Sequence, residues 1–130
     1  MKRKLAMLLC AALLATLCAA CGASGWVYDL PNGYTVRSKD GAVCIEQNGE
    51  QALSTGVTAF CAGARYVGVQ QEHETDDGSE TYWFLLDTEN QVFYAEESEE
   101  TFLEDCETFG VTDLGDWIDT ASRPSGAHAG

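Results

Sequence analysis
Three dipeptides, Asn32-Gly33, Asp40-Gly41 and Asn48-Gly49, recur at eight-residue spacing. An Asn-Gly or Asp-Gly pair tolerates positive φ at both positions, which a tight two-residue turn between antiparallel strands requires. The spacing leaves room only for short strands. Tyr34 to Lys39 and Ala42 to Gln47 are therefore predicted to pair across Asp40-Gly41, and Gln51 to Ser54 is read as a short strand or an edge. Pro31 fixes φ ahead of Asn32-Gly33, so Leu30 to Tyr34 is a turn. Gly56 to Cys61 and Arg65 to Gln71 form the next pair, with Val57, Ala59, Cys61 and then Val67 and Val69 alternating toward a buried face.

Further on, Glu72 to Glu80 (EHETDDGSE) is read as a polar loop. Thr81 to Asp87 (TYWFLLD) is the most apolar run after the N-terminal segment and is read as a central strand. Thr88-Glu89-Asn90 turns the chain, and Gln91 to Ala95 pairs back. The period then changes. Phe102, Leu103, Cys106 and Phe109 fall at helical spacing. Ser98 is the predicted N-cap, Glu99 and Glu100 suit the positive end of the helix dipole, and Gly110 suits the C′ position. Val111, Leu114, Trp117 and Ile118 form a last apolar group that closes the core. The expected fold is α+β: a small antiparallel β-meander packed by one C-terminal amphipathic helix. Residues 26–120 are its single domain, and 121–130 a disordered tail.

The front of the chain reads differently. Met1-Lys2-Arg3-Lys4 is a basic cap, and Leu5 to Ala20 is sixteen residues without a charge. A helix of that length is about 24 Å long, short of the roughly 20 residues that cross a membrane. A basic cap, a short apolar core and then small residues is the pattern of a removed signal peptide, residues 1–20; a retained membrane helix is the alternative. Cys21 stands between Ala19-Ala20 and Gly22. This resembles the lipobox of bacterial lipoproteins, in which the cysteine is lipidated and becomes residue one. The resemblance makes Cys21 a diacylglyceryl cysteine and 21–25 a lipidated tether. Cys18 stands where that pattern usually has Leu, and it leaves with the signal. Cys18-Ala19-Ala20-Cys21 lacks the strand and helix that flank a redox pair, and no second ligand pair completes a zinc site. Two acyl chains hold a membrane stably where one does not.

Charge narrows the partners. After removal of residues 1–20, four basic residues face 21 acidic ones, a net charge of −17. No Lys or Arg occurs from Tyr66 to Ser122, where 17 of the acids lie. Such a surface excludes nucleic acid and is repelled by anionic lipid headgroups. It suits a solvated surface, a basic protein of the cell envelope, or cations. Oligomeric state is not legible. Cys44, Cys61 and Cys106 each have apolar neighbours, which favours buried thiols. Export permits a disulfide, and if one forms the predicted pair is Cys44 with Cys61.

The order of segments also resembles a family of small uncharacterised lipoproteins of Gram-positive bacteria. The residues that carry the likeness are Tyr28-Asp29-Leu30-Pro31-Asn32-Gly33-Tyr34, Trp83-Phe84-Leu85-Leu86-Asp87-Thr88, Val92-Phe93-Tyr94, Phe102 and Gly110. Where the family often has Gly-Pro after the second strand, this chain has Ala95-Glu96-Glu97. The likeness implies a location at the outer face of the cytoplasmic membrane and brings no activity with it.

No chemistry stands out. His73 has no nucleophile or orienting acid at a suggestive spacing. There is no phosphate-binding glycine loop and no HExxH. An EF-hand frame with Gly78 at position six puts His73 at one and Thr75 at three, so it fails; Glu74, Asp76 and Asp77 remain as weak calcium candidates, and no cofactor is implied. The expected function is a non-catalytic, membrane-anchored binding or accessory module. The alternatives are a small extracellular enzyme or inhibitor with a cleft near Trp83 and His73, and a weak calcium binder.

Overall fold
A computed structural model describes residues 25–130. The segment read as a signal peptide (residues 1–20, with Cys18) and Cys21 lie outside the described residues. Two five-stranded antiparallel sheets stack face to face. The first contains β1 (Trp26–Asp29), β2 (Tyr34–Lys39), β3 (Ala42–Gln47), β4 (Glu50–Leu53) and, at its other edge, β10 (His128–Ala129), in the order β10-β1-β2-β3-β4. The second contains β5 (Val57–Ala62), β6 (Tyr66–Thr75), β7 (Gly78–Asp87), β8 (Val92–Glu96) and β9 (Ile118–Asp119), in the order β8-β7-β6-β5-β9. One helix, α1 (Glu99–Thr108), lies on the outer face of the second sheet against β7 and β8. The α+β reading holds, but the single meander does not: the molecule is a sandwich with a helix on one outer face.

The turns follow the sequence. Asp40, Gly41, Asn48 and Gly49 all have positive φ, between 50° and 87°. Those two hairpins fix β2 and β3 at their predicted bounds. The sheet change occurs just before β5, at Gly56, with φ 108°. A Cβ there would stand 2.7 Å from the Glu72 carbonyl oxygen. Gly56→Ala should therefore be destabilised through both strain and a backbone clash, by about 2–3 kcal/mol; denaturant midpoints of the two proteins check this.

Between the sheets, Trp26, Tyr34, Val36, Val43 and Ile45 of the first meet Val57, Phe60, Val67, Val69 and Leu86 of the second. A smaller core forms under α1, where Leu85, Phe102 and Cys106 pack with Trp83, Val111, Leu114 and Trp117. The last apolar group thus does close a core, and Ile118 joins the main one. Ser98 caps α1 as its sequence demands, its side chain accepting from the Thr101 amide at 3.2 Å. Only Phe102 and Cys106 of the predicted helix face are buried. Leu103 is 57% and Phe109 39% exposed. The reason is the helix's single contact direction: residues four apart point at the sheet, and Leu103 is turned about 100° away.

Two further expectations are corrected. Glu72 to Glu80 is not a loop. The pairing of β6 with β7 runs unbroken from Tyr66↔Asp87 to Thr75↔Gly78, leaving only Asp76-Asp77 as the turn. Both faces of this ribbon stand clear of the core, so no apolar alternation marks it as a strand. The tail is not free either. His128 and Ala129 pair with Val27 and Trp26, Pro124 is buried, and the Gly130 amide donates to the Gly25 carbonyl at 3.4 Å.

Candidate functional site
Strand direction sorts the loops to two ends. At one end lie the turn Pro31–Gly33, the turn Asn48-Gly49 and the β7–β8 turn. At the other lie Gly25, the β2–β3 turn, the entry to β5 and the acidic ribbon.

The first end is a closed polar network. Arg65 grips Asp87 with two bonds, Nε to Oδ1 at 2.9 Å and a terminal nitrogen to Oδ2 at 2.8 Å. The Asp87 carboxylate also accepts from the Glu89 and Asn90 amides and from Asn90 Nδ2. These donors hold its pKa down at about 2, the Arg65 bond being the largest cause. Thr88 donates its hydroxyl to the Arg65 carbonyl and accepts from Asn32 Nδ2 at 2.9 Å. Asn32 sits at φ 58°, and that left-handed turn aims its amide across to the other sheet. The Leu30-to-Tyr34 turn and the Asp87-Thr88 pair, far apart in sequence, thus meet as one clasp between the sheets. With all its members paired, it is a structural joint.

The second end is open. A groove of about 960 Å³ runs between the sheets there. Trp26, Ser38 and Val43 line it from the first sheet, and Gly56, Val57, Glu72 and Glu74 from the second. Asp119 of β9 and the segment Thr120 to Arg123 complete it. Thr120 is tied down by its hydroxyl, which donates to the Val57 carbonyl at 2.8 Å. The residues bordering this groove include three acids, Glu72, Glu74 and Asp119, and one cation, Arg123. Arg123 makes no salt bridge among the described residues; its guanidinium donates to the Ala127 carbonyl at 3.1 Å. In a concave site walled by protein, like charges reinforce one another's field, so the groove favours cationic ligands.

The sequence-predicted residues fall in different places. Glu74 lines the groove. Asp76 and Asp77 occupy the ribbon's turn, and among the described residues no three His, Cys, Asp or Glu side chains gather as a metal cage. Strand alternation is the reason, because Glu74 projects from a strand face and the turn aspartates project from its tip. His73 and Trp83 share no cleft. Trp83 is level with Gln70 and faces α1, whereas His73 is level with Glu80 on the opposite face. There His73 Nε2 lies 2.6 Å from Gln71 Oε1, and its ring meets Tyr82 edge-on at 4.9 Å.

The three described cysteines are free buried thiols, so the expected Cys44–Cys61 bridge is absent. Cys44 lies between Val43 and Ile45, which point into the core; its own side chain points out of the first sheet, level with Arg37. Cys61 points the other way, beneath α1, where a Cβ on Gly68 would come within 2.7 Å of its sulfur. The thickness of the sandwich, about 10 Å between sheets, separates them, beyond the reach of about 7 Å that a disulfide allows.

No helix among the described residues is long and apolar enough to cross a membrane. Comparison with family models, with curated proteins and with solved structures finds no match to this chain. The groove was not legible in sequence, because Trp26, Ser38, Glu72 and Asp119 come from four separated segments. The one signal was local: a run of acids on both sides of Asp77-Gly78.

Proposed function
We propose that this chain is a lipid-anchored, non-catalytic binding module at the outer face of the cytoplasmic membrane, and that the acid-lined groove is its ligand site. The resemblance of the segments to a lipoprotein family and of the residues around Cys21 to a lipobox support the location. The observation that carries the binding role is the placement of the groove. Trp26, Ser38 and Gly41 line it, and Gly25 lies against the Ser38 carbonyl. The groove therefore opens where the chain departs toward Cys21. Three residues, Gly22 to Ser24, separate Cys21 from Gly25, and the four Cα steps reach at most about 14 Å. A diacylated Cys21 then keeps the groove close to the bilayer, while the acidic surface holds the body off anionic headgroups. The partner is a basic protein of the envelope.

In-cell crosslinking followed by mass spectrometry tests this. The N-terminal peptide of the native chain is expected to begin at Cys21 and to carry the diacylglyceryl mass. A basic envelope protein should be recovered with the native chain and lost from a Glu72→Gln/Asp119→Asn double variant. An unmodified N-terminus, or a partner captured equally by the double variant, overturns the proposal.

A further inference from the structure
We infer that the groove takes its ligand as an added β-strand, and that the ligand is an extended basic peptide segment laid along the distal half of β6. This rests on the groove reading above and names the ligand class and its mode of docking.

The argument begins with unequal pairing. Strand β6 is ten residues long. Strand β7 accompanies all of it, to Thr75↔Gly78, but β5 accompanies it only as far as Val57↔Gln71. From Glu72 to Thr75, β6 thus has a partner strand on one side only among the described residues. The lane beside it is clear because the chain entering β5 turns away at Gly56. The Glu72 amide still donates to the Gly56 carbonyl, at 2.9 Å, so the backbone groups of residue 72 face the β5 side. Backbone direction alternates along a strand. The N–H and C=O of Glu74 therefore face that same side, and those of His73 face β7. An unpaired strand edge bordering a groove is the structure that β-augmentation uses: main-chain bonds give affinity, and alternate side chains give specificity.

The side chains specify the charge of the guest. Glu72 and Glu74 project from one face of β6, the face that carries Trp83, about 6.5–7 Å apart, and both residues border the groove. Lysines two apart in an extended peptide repeat at the same distance. Across the lane, Asp119 is a third acidic residue of the lining. Edge strands are usually guarded by charge against accidental pairing. Here the guard is anionic, so it repels acidic strands, including a second copy of this chain, and admits basic ones. The groove's volume, about 960 Å³, lies at the upper end of the range for bound ligands, about 300–1,000 Å³.

The test uses the folded chain and a blocked hexapeptide, acetyl-Val-Lys-Val-Lys-Val-Lys-amide. Two analogues carry the same side chains, one N-methylated at the lysine amides and the other at the valine amides. Each analogue has one hydrogen-bonding edge blocked. Strand addition requires that one analogue bind at least tenfold more weakly than the parent while the other binds like it. It also requires that the parent slow hydrogen exchange at the Glu74 amide, and that Glu74→Gln weaken binding several-fold at low salt. Equal binding by all three peptides, with the Glu72→Gln/Asp119→Asn variant still losing affinity, overturns strand addition and leaves an electrostatic groove. Absence of saturable binding by the parent peptide overturns this inference, whereas the wider binding role stands or falls on the crosslinked partner.

Discussion
Phe102→Ala should strip α1 from the sheet and open two thiols together. Phe102 is 2% exposed and is the one large side chain that α1 buries in the core beneath it. Its ring meets Trp117 at 5.5 Å and lies above Gly68, where even a methyl group would stand 2.9 Å from it. Removing a buried phenyl costs about 3–5 kcal/mol. The loss falls first on a layer held to the sheet by a small cluster, so local opening should precede global unfolding. Cys61 and Cys106 are the reporters. Burial pushes the Cys61 thiol up to about 11 and the Cys106 thiol upward as well, so both start unreactive. In the variant both should react with a thiol reagent at least tenfold faster at neutral pH. Cys44, on the far face of the other sheet, should keep its native rate. Equal acceleration of all three would mean that the sandwich unfolds as one unit.

Asp87→Ala should be nearly as costly, and its cost should depend on pH. The carboxylate is 2% exposed and accepts from Arg65, two backbone amides and Asn90. Its removal leaves donors behind, a loss of about 3 kcal/mol, which lowers Tm by about 10–20 °C in a domain of this size. With the folded pKa at about 2 against an ordinary 3.8, the native state binds this proton more weakly than the unfolded chain does. The stabilisation is therefore complete above the unfolded value and declines as pH falls from about 5 toward 2. Arg65 is 38% exposed in its side chain, and solvent around it trims the pH-dependent part to about 1–2 kcal/mol. Asp87→Asn keeps the shape and loses the charge. Its stability deficit against the native chain should shrink steadily between pH 5 and pH 2; a constant deficit would show that the clasp works by packing alone.

What sequence could convey follows from how local each signal is. Strands β2 and β3 were legible to the residue because Asp40-Gly41 and Asn48-Gly49 fix their ends with backbone torsions that few other residues accept. The start of α1 was legible for the same reason, in the Ser98 cap. The second sheet was not. Alternation at Val57, Val67 and Val69 says that one face is buried, but a buried face reads the same whether a helix or another sheet covers it. The crossing at Gly56 is a single glycine among thirteen. The ribbon was missed because it extends beyond the core, where no hydrophobic face is required. The Cys44–Cys61 pairing failed because face, which alternates residue by residue, outweighs membership in a strand. Half of the groove's acidic wall was visible as composition; its lane beside β6 depends on β5 stopping short, which only tertiary pairing decides.

The pairing of β10 with β1 has a practical consequence. Gly25 and Gly130 are hydrogen-bonded neighbours, so a linker of a few residues could join them into a ring that is reopened elsewhere. The exposed Asn48-Gly49 turn, at the end opposite the groove, is the natural place for the new cut. Such a permutant would carry its affinity tag or dye away from the groove, and the seam at Gly25–Gly130 would become an uninterrupted length of backbone.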